Sequence, residues 1–332
     1  MEILGRVFNV FLAIAVGSGG VIALFIALNY AVERLPYKWR SRLLPWVFVG
    51  PALLVLGLIL VIPTLITIFY SFFGPATETF VGLKNYIFAF TNNDMQVALI
   101  NNVLWIVLVT GVSVSVGLIL AVLMDRVSYE PIAKSVIFTP MAISFVGASV
   151  IWRFVYAYRP EGDNQIGLLN AIVTSLGFDP VGWLVERVNF LGANVLGTTA
   201  LLAIMIWLQT GFCMVLLSAA VKGIPKDMIE AARIDGANEF QIFWRITIPT
   251  IRSTMTVVAT TIIVLVLKLF DIVWVMTNGN FGTEVVASRM IKEMFKFNNY
   301  GRGSAIATIL LIAVVPIIIY NIHRFRKQEE NQ

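Results

Sequence analysis

Long apolar runs separated by short charged segments organise this chain. Seven runs are long enough to cross a bilayer: about 8–31, 44–73, 99–124, 136–158, 196–221, 255–277 and 303–322. Roughly 20 apolar residues span the hydrocarbon core as a helix. Lipid leaves open backbone groups unpaired, and no alternating barrel pattern occurs, so helix is the only state predicted for each run. The predicted fold class is all-α, a polytopic membrane protein with about seven transmembrane helices. The second run exceeds one straight crossing and holds Pro45, Pro51 and Pro63, which predicts a tilt, a kink or an interfacial turn. The first run extends from Val7 to Val32, too long for a signal-peptide core, and its cations follow it at Arg34, Lys38, Arg40 and Arg42. It is predicted to be a helix with its N-terminus outside.

Between the runs, 74–98 and 159–195 form the longest loops on the predicted outer side, with a short surface helix expected over 166–176 and ended by Gly177. Segment 222–254 is more structured. Pro225, Asp227 and Glu230 suit a helix start. Met228, Ala231, Ala232 and Ile234 can line an apolar face. Gly236 can end the helix in the left-handed region. Asn238 can cap a second helix carrying Phe240, Phe243 and Trp244 on one face. Pro249 suits the first turn of the next span. The pattern predicts a helix–turn–helix under the membrane.

Composition sharpens the class. Hydrophobic residues make up 58% and charged residues 13% of the 332 residues, and mean hydropathy is +0.86, far from soluble-domain usage. The basic balance (pI about 9.3) lacks any run of cations interleaved with aromatics, so nucleic acid is excluded as a partner. With the N-terminus outside, fourteen Lys and Arg fall on the cytoplasmic side and eight on the other, Arg126 among the first and Arg187 among the second. That bias supports N-out, C-in. Four of the eight lie in 278–302. The single Cys213 and the single His323 exclude an internal disulfide and give no metal site. No G-x-x-x-x-G-K-[ST] is present, so the chain has no phosphate-cradling loop of its own.

Residues 230–249, EAARIDGANEFQIFWRITIP, resemble the E-A-A-x₃-G-x₉-I-x-L-P loop of ABC importer permeases. Glu230, Ala231, Ala232, Gly236, Ile246 and Pro249 match, and Ile248 stands in place of Leu. KLFDIVWVMTNGNFG resembles the F-D-x-V-x-x-x-T-x-G-G signature of the maltose-permease F-type subunit, with Asn280 for the second Gly. The tail HRFRKQEENQ, the extra first helix and QIGLLNAI look most like α-glucoside permeases. The resemblance implies an extra N-terminal helix with a basic linker (1–43), a six-helix type I importer core (44–322) and a cytoplasmic tail (323–332). It implies a sugar importer of the bacterial inner membrane: this chain, a second G-type permease subunit, two ATPase subunits that carry ATP and Mg, and an external solute-binding protein. No cofactor and no enzymatic activity are expected on this chain. Glu230, Ala231, Ala232, Asp235, Gly236, Phe240, Phe243 and Pro249 are the expected ATPase-coupling residues.

Lys268 and Asp271 lie at i, i+3 in the sixth run, where a charge costs roughly 2.5–3.5 kcal/mol on insertion scales and so faces a partner or a cavity. A structural ion pair and a sugar site are both compatible with that spacing. Alignment of the resemblance by distance from Glu230 places Met205 and Gln209 on sugar-contact positions, with Met141, Ser144, Phe145 and Leu269 beside them. Trp207 and Trp274 are further candidates for stacking on a ring. A seven-helix receptor and an ion-coupled secondary transporter share the same span count. The receptor reading lacks a second Cys and an Asn-Pro in the last run, where Val315-Pro316 stands; the transporter reading lacks internal repeats.

Overall fold

The computed structural model describes residues 2–125, 127–186, 188–190 and 193–329. Arg126 and Arg187, two of the counted cations, and the last three residues of the tail lie outside the described residues. By packing, the chain divides into Met1–Thr67 and Ile68–Gln332.

The first unit is a helical hairpin. Helix α1 (Glu2–Glu33) meets α2 (Tyr37–Leu56) through a short turn at Pro36, closed by Leu35 N–H donating to the Val32 carbonyl at 3.1 Å. Phe25 and Phe48 stack across the hairpin with centroids 6.2 Å apart. Helix α2 runs on through a π-turn at Gly57–Val61 into α3 (Ile62–Tyr70). A proline ring inside a helix clashes with the carbonyl four residues back, and a widened turn relieves that clash. Pro63 sits just beyond this turn, so the overlong second run is accommodated by a local widening.

The second unit holds the bundle. Its helices are α4 (Lys84–Thr91), α5 (Asn93–Met124), α6 (Glu130–Phe138), α7 (Phe145–Val155), α8 (Leu168–Ser175), α9 (Val195–Lys222), α10 (Lys226–Ile234), α11 (Glu239–Ile242), α12 (Ile248–Leu267), α13 (Asp271–Met276), α14 (Val286–Ile291) and α15 (Tyr300–Glu329). The one sheet among the described residues is a two-residue pair, Asn189–Phe190 with Ala193–Asn194. Among the described residues, six helices are long and apolar enough to cross a membrane, and α6–α7 makes a seventh if that bent pair is one span.

Helices α5 and α9 form the centre. Gly117 lets them approach: a Cβ there would lie 2.6 Å from Cys213 Cβ and 2.9 Å from the Met214 nitrogen. Gly211 on the other side of α9 lies against the backbone of Ile137 and Phe138. Membrane helices gain little from hydrophobicity when they associate, so close backbone contact at small residues supplies the dispersion energy. Trp105, Leu201, Ile204, Leu208, Met214, Leu217 and Ile262 fill the resulting core.

Two expected straight spans are broken. The fourth run bends by 100° between α6 with its following 3₁₀ turn (Thr139–Ala142) and α7. Pro140 stops the first half, and Ser144 caps the second by accepting from Gly147 N–H at 3.0 Å. The sixth run ends at Leu267 and restarts at Asp271. Lys268 and Asp271 therefore do not share a helix face as i, i+3 neighbours, and no ion pair joins them among the described residues.

Segment 278–302 holds four of the eight cations counted on the predicted outer side. It is folded rather than an open loop, with α14, a π-turn at Lys292–Lys296 and a buried charge network. Lys292 Nζ meets Glu284 Oε2 at 2.5 Å; Arg289 meets Glu293 Oε1 and Asp94 Oδ2, each at 2.8 Å. Asn101 donates to the Gly282 and Glu284 carbonyls at 2.9 and 2.7 Å, tying the segment to α5. In the 74–98 segment, read as loop, α4 forms, and Asn85 at its start donates to the Ser71 and Phe73 carbonyls.

Candidate functional sites: a projecting loop and a cavity at two helix breaks

The loop after α9 folds as a helix–turn–helix. Helix α10 ends at Ile234 with Asp235 as its C-cap, and Gly236 takes φ +83°. Gly236 N–H donates to the Arg233 carbonyl at 3.0 Å, and Ala237 N–H donates to the Ala232 carbonyl at 2.9 Å. This satisfies carbonyls that the helix end leaves unpaired. Arg233 reaches over the turn to Glu239 at 3.0 Å. Asn238 then starts α11 with a reciprocal box: its side chain accepts from Gln241 N–H, and the Gln241 side chain accepts from Asn238 N–H, both at 2.9 Å. Removing such a cap costs about 1 kcal/mol. Asn238→Ala is therefore expected to speed amide exchange at residues 239–242 about fivefold, measured by hydrogen–deuterium exchange in nanodiscs. Unchanged exchange would mean that the box does not hold the helix start.

Helix α11 passes through a π-turn (Phe243–Thr247) into α12, and Pro249 falls in the first turn of α12. The pairing of a widened turn with the proline that follows it repeats the arrangement at Pro63, and the cause is the same. The result is a continuous rod, Glu239–Leu267. Ile242 is buried, while Ile229 and Phe243 pack partly against the bundle core. Ile234 (86% exposed), Phe240 (71%), Trp244 and Met228 point outward, with Glu230 and Ala231 exposed beside them and Ala232 half-buried. The ring centroids of Phe240 and Trp244 are 6.1 Å apart. Large apolar side chains thus stand exposed around this polar turn.

At the two helix breaks a cavity of about 520 Å³ opens, lined by Met141, Ile143, Ser144, Phe145, Val146, Gln209, Phe212, Thr261, Leu265 and Asp271. Its size falls within the range of small-ligand sites. Helix α7 packs against α13, and Arg153 on α7 donates to the Val275 carbonyl on α13, so the half-helices that follow the two breaks are tied together. Ser144 is used as a cap, and Thr261 donates to the Val257 carbonyl at 2.8 Å. Gln209 is 4% exposed, yet its amide has no hydrogen-bond partner among the described residues. The amide lines the cavity and is available to a ligand there.

Five sequence-derived candidates meet here: Met141, Ser144, Phe145, Gln209 and Asp271. Three do not. Met205 is fully buried in the core one turn from Gln209, Leu269 is buried at the second break, and Lys268 is exposed outside the lining. Trp207 packs edge-on to Trp152 at 5.9 Å and Trp274 against Phe270 at 5.0 Å; neither lines the cavity. Sequence reasoning missed Ile143, Val146, Phe212, Thr261 and Leu265. Phe212 follows Gln209 by three residues, and Leu265 follows Thr261 by four, spacings that share a helix face.

Comparison with known proteins agrees with this architecture. The family described as binding-protein-dependent transport system inner membrane component matches residues 113–328. The osmoprotective compounds uptake permease protein GgtC of Synechocystis sp. is 69% identical over 283 residues, 85% of this chain and 99% of that protein. The alpha-glucoside transport system permease protein AglF of Rhizobium meliloti is 48% identical over 301 residues, 90% of this chain and 87% of that protein. Among solved structures, a bacterial ABC transporter involved in the import of the acidic polysaccharide alginate has a chain with TM-score 0.73 and 19% identity, covering 88% of this chain and 98% of that one.

Proposed function

The chain belongs to the family of binding-protein-dependent transport system inner membrane components, multi-pass membrane proteins, and we propose that it is the permease subunit of an ATP-driven importer that moves an α-glucoside, osmoprotective glucosides included. It is a transporter component rather than an enzyme. Its work is done with a second, G-type permease subunit, two ATPase subunits that bind ATP and Mg, and an external solute-binding protein. Its N-terminus lies outside and its C-terminus inside, in keeping with the distribution of Lys and Arg.

The observation that carries this reading is the rod Glu239–Leu267. At one end stand the exposed rings of Phe240 and Trp244, and toward the other Thr261 and Leu265 line the cavity. At 1.5 Å per residue, Phe240 and Thr261 are about 30 Å apart along one helix. A partner that grips the helix–turn–helix thereby moves the cavity wall without any flexible joint between. Closure of the ATPase subunits on ATP displaces Glu230, Ala231, Ala232, Asp235 and Gly236 together with the rings. The rod swings, the breaks at 143–144 and 268–270 absorb the change, and the cavity exchanges access from one side to the other. Sugar arriving from the binding protein meets Gln209, Asp271, Ser144 and the apolar faces of Met141 and Phe145.

The experiment is ATPase activity of the reconstituted importer, with binding protein, across a panel of α-glucosides. At least one α-glucoside is expected to stimulate hydrolysis about tenfold over unloaded binding protein. Stimulation by none of them would sink the substrate class and leave the permease assignment standing.

A further inference from the structure

We propose that Asp271 sets the charge class of the cargo: its carboxylate accepts neutral polyhydroxy solutes and turns away anionic sugars. The proposal rests on the cavity being the substrate path. Asp271 is the single ionisable residue in the lining. It makes no ion pair or side-chain hydrogen bond among the described residues. Lys268 is exposed and does not line the cavity, and Arg153 on the facing helix gives its guanidinium to the Val275 carbonyl instead. The cavity therefore carries one negative charge with no counter-ion in its wall.

The other polar groups sharpen this. Ser144 and Thr261 already bond to backbone. That leaves the Gln209 amide and the Asp271 carboxylate as the lining groups without protein partners. A carboxylate only accepts hydrogen bonds, and bonds to an ionised group are roughly twice as strong as neutral ones. Sugar hydroxyls donate to it readily. A second carboxylate, on the cargo, would face this like charge across the cavity and be repelled by it. The structure similar in fold belongs to an importer of the acidic polysaccharide alginate, so the fold alone does not dictate cargo charge.

The test uses the complete importer in nanodiscs, held with ATP and vanadate, without binding protein so that only the membrane site selects. Bound radiolabelled sucrose is displaced by trehalose or by sucrose oxidised to the carboxylate at C6 of its glucose ring. In the wild type, the carboxylate is expected to displace at least 30-fold more weakly than trehalose. Asp271→Asn and Asp271→Ser should narrow that gap to under threefold and weaken sucrose itself about tenfold; Asp271→Glu and Lys268→Gln should preserve the gap. Co-purification of the ATPase subunits reports assembly of each variant. A wild-type gap below threefold, or a gap that survives both neutralising variants, overturns the proposal while leaving the cavity as the sugar site. A wild-type complex that binds neither neutral sugar overturns the cavity reading and this proposal together.

Discussion

Gly236→Val is expected to cut ATP-dependent uptake at least tenfold while the subunit still inserts, assembles and permits ATP hydrolysis. The cause is backbone conformation rather than space. Gly236 has φ +83°, and a Cβ added there would meet nothing within 4 Å. A β-branched residue in the left-handed region costs about 1–2 kcal/mol, and the strain is relieved by unwinding the turn. The bonds from Gly236 and Ala237 to the end of α10 would be lost, and α10 would no longer hold a fixed angle to the rod. The drive surface would then move without the cavity wall following. Gly236→Asn tolerates the same φ better and is expected to keep a substantial part of transport. Paired uptake and ATPase rates in proteoliposomes decide it: normal uptake by the Val variant, at an unchanged ATPase rate, sinks the lever.

Arg289→Met should be among the most destabilising single changes in the chain, by about 3 kcal/mol or more, the range for breaking one side of a buried ion pair. Glu293 is 1% exposed, and Arg289 bonds one of its oxygens. Its other oxygen, Oε2, has no hydrogen-bond partner among the described residues, and Arg302 stands 3.9 Å away. Removal of the guanidinium strands a carboxylate inside protein. Asp94, the second partner of Arg289, is two-thirds exposed and loses little. The double change Arg289→Met with Glu293→Met should recover most of the loss, because apolar replacement of both partners spares the desolvation cost. Thermal denaturation of the purified complex checks both. A single variant within about 1 kcal/mol of wild type would mean that water reaches Glu293.

The positions where the sequence spoke clearly are those with strong physical signals. Twenty-residue apolar runs announced the spans, and the Glu-Ala-Ala run with its Gly announced the turn at Gly236. What was illegible has a common cause. The break at Lys268 follows VLVL and precedes LF, an apolar stretch with neither Gly nor Pro, so periodicity alone reads it as one span. The bend at 143–144 did carry a signal, Pro140 and then Ser144 three residues before Gly147, but it lies within an apolar run whose length alone suggests a crossing. The charges of 278–302 were counted only toward orientation, because single-sequence reasoning cannot see that Arg289 meets Asp94, nearly 200 positions away. For the cavity, identity at a distance from Glu230 found Gln209 but also chose Met205, one helical turn away and fully buried. Only packing separates those two.

The π-turn at Phe243–Thr247 has a mechanical meaning for the rod. One such turn holds roughly one residue more than an α-turn, so everything beyond it is rotated by about 100° relative to an uninterrupted helix. Phe240 and Thr261 are therefore joined like two cranks keyed to one shaft at a set angle. The proline that demands the widened turn also fixes that angle, so the azimuth of the exposed Phe240 face is locked to the azimuth of the cavity wall.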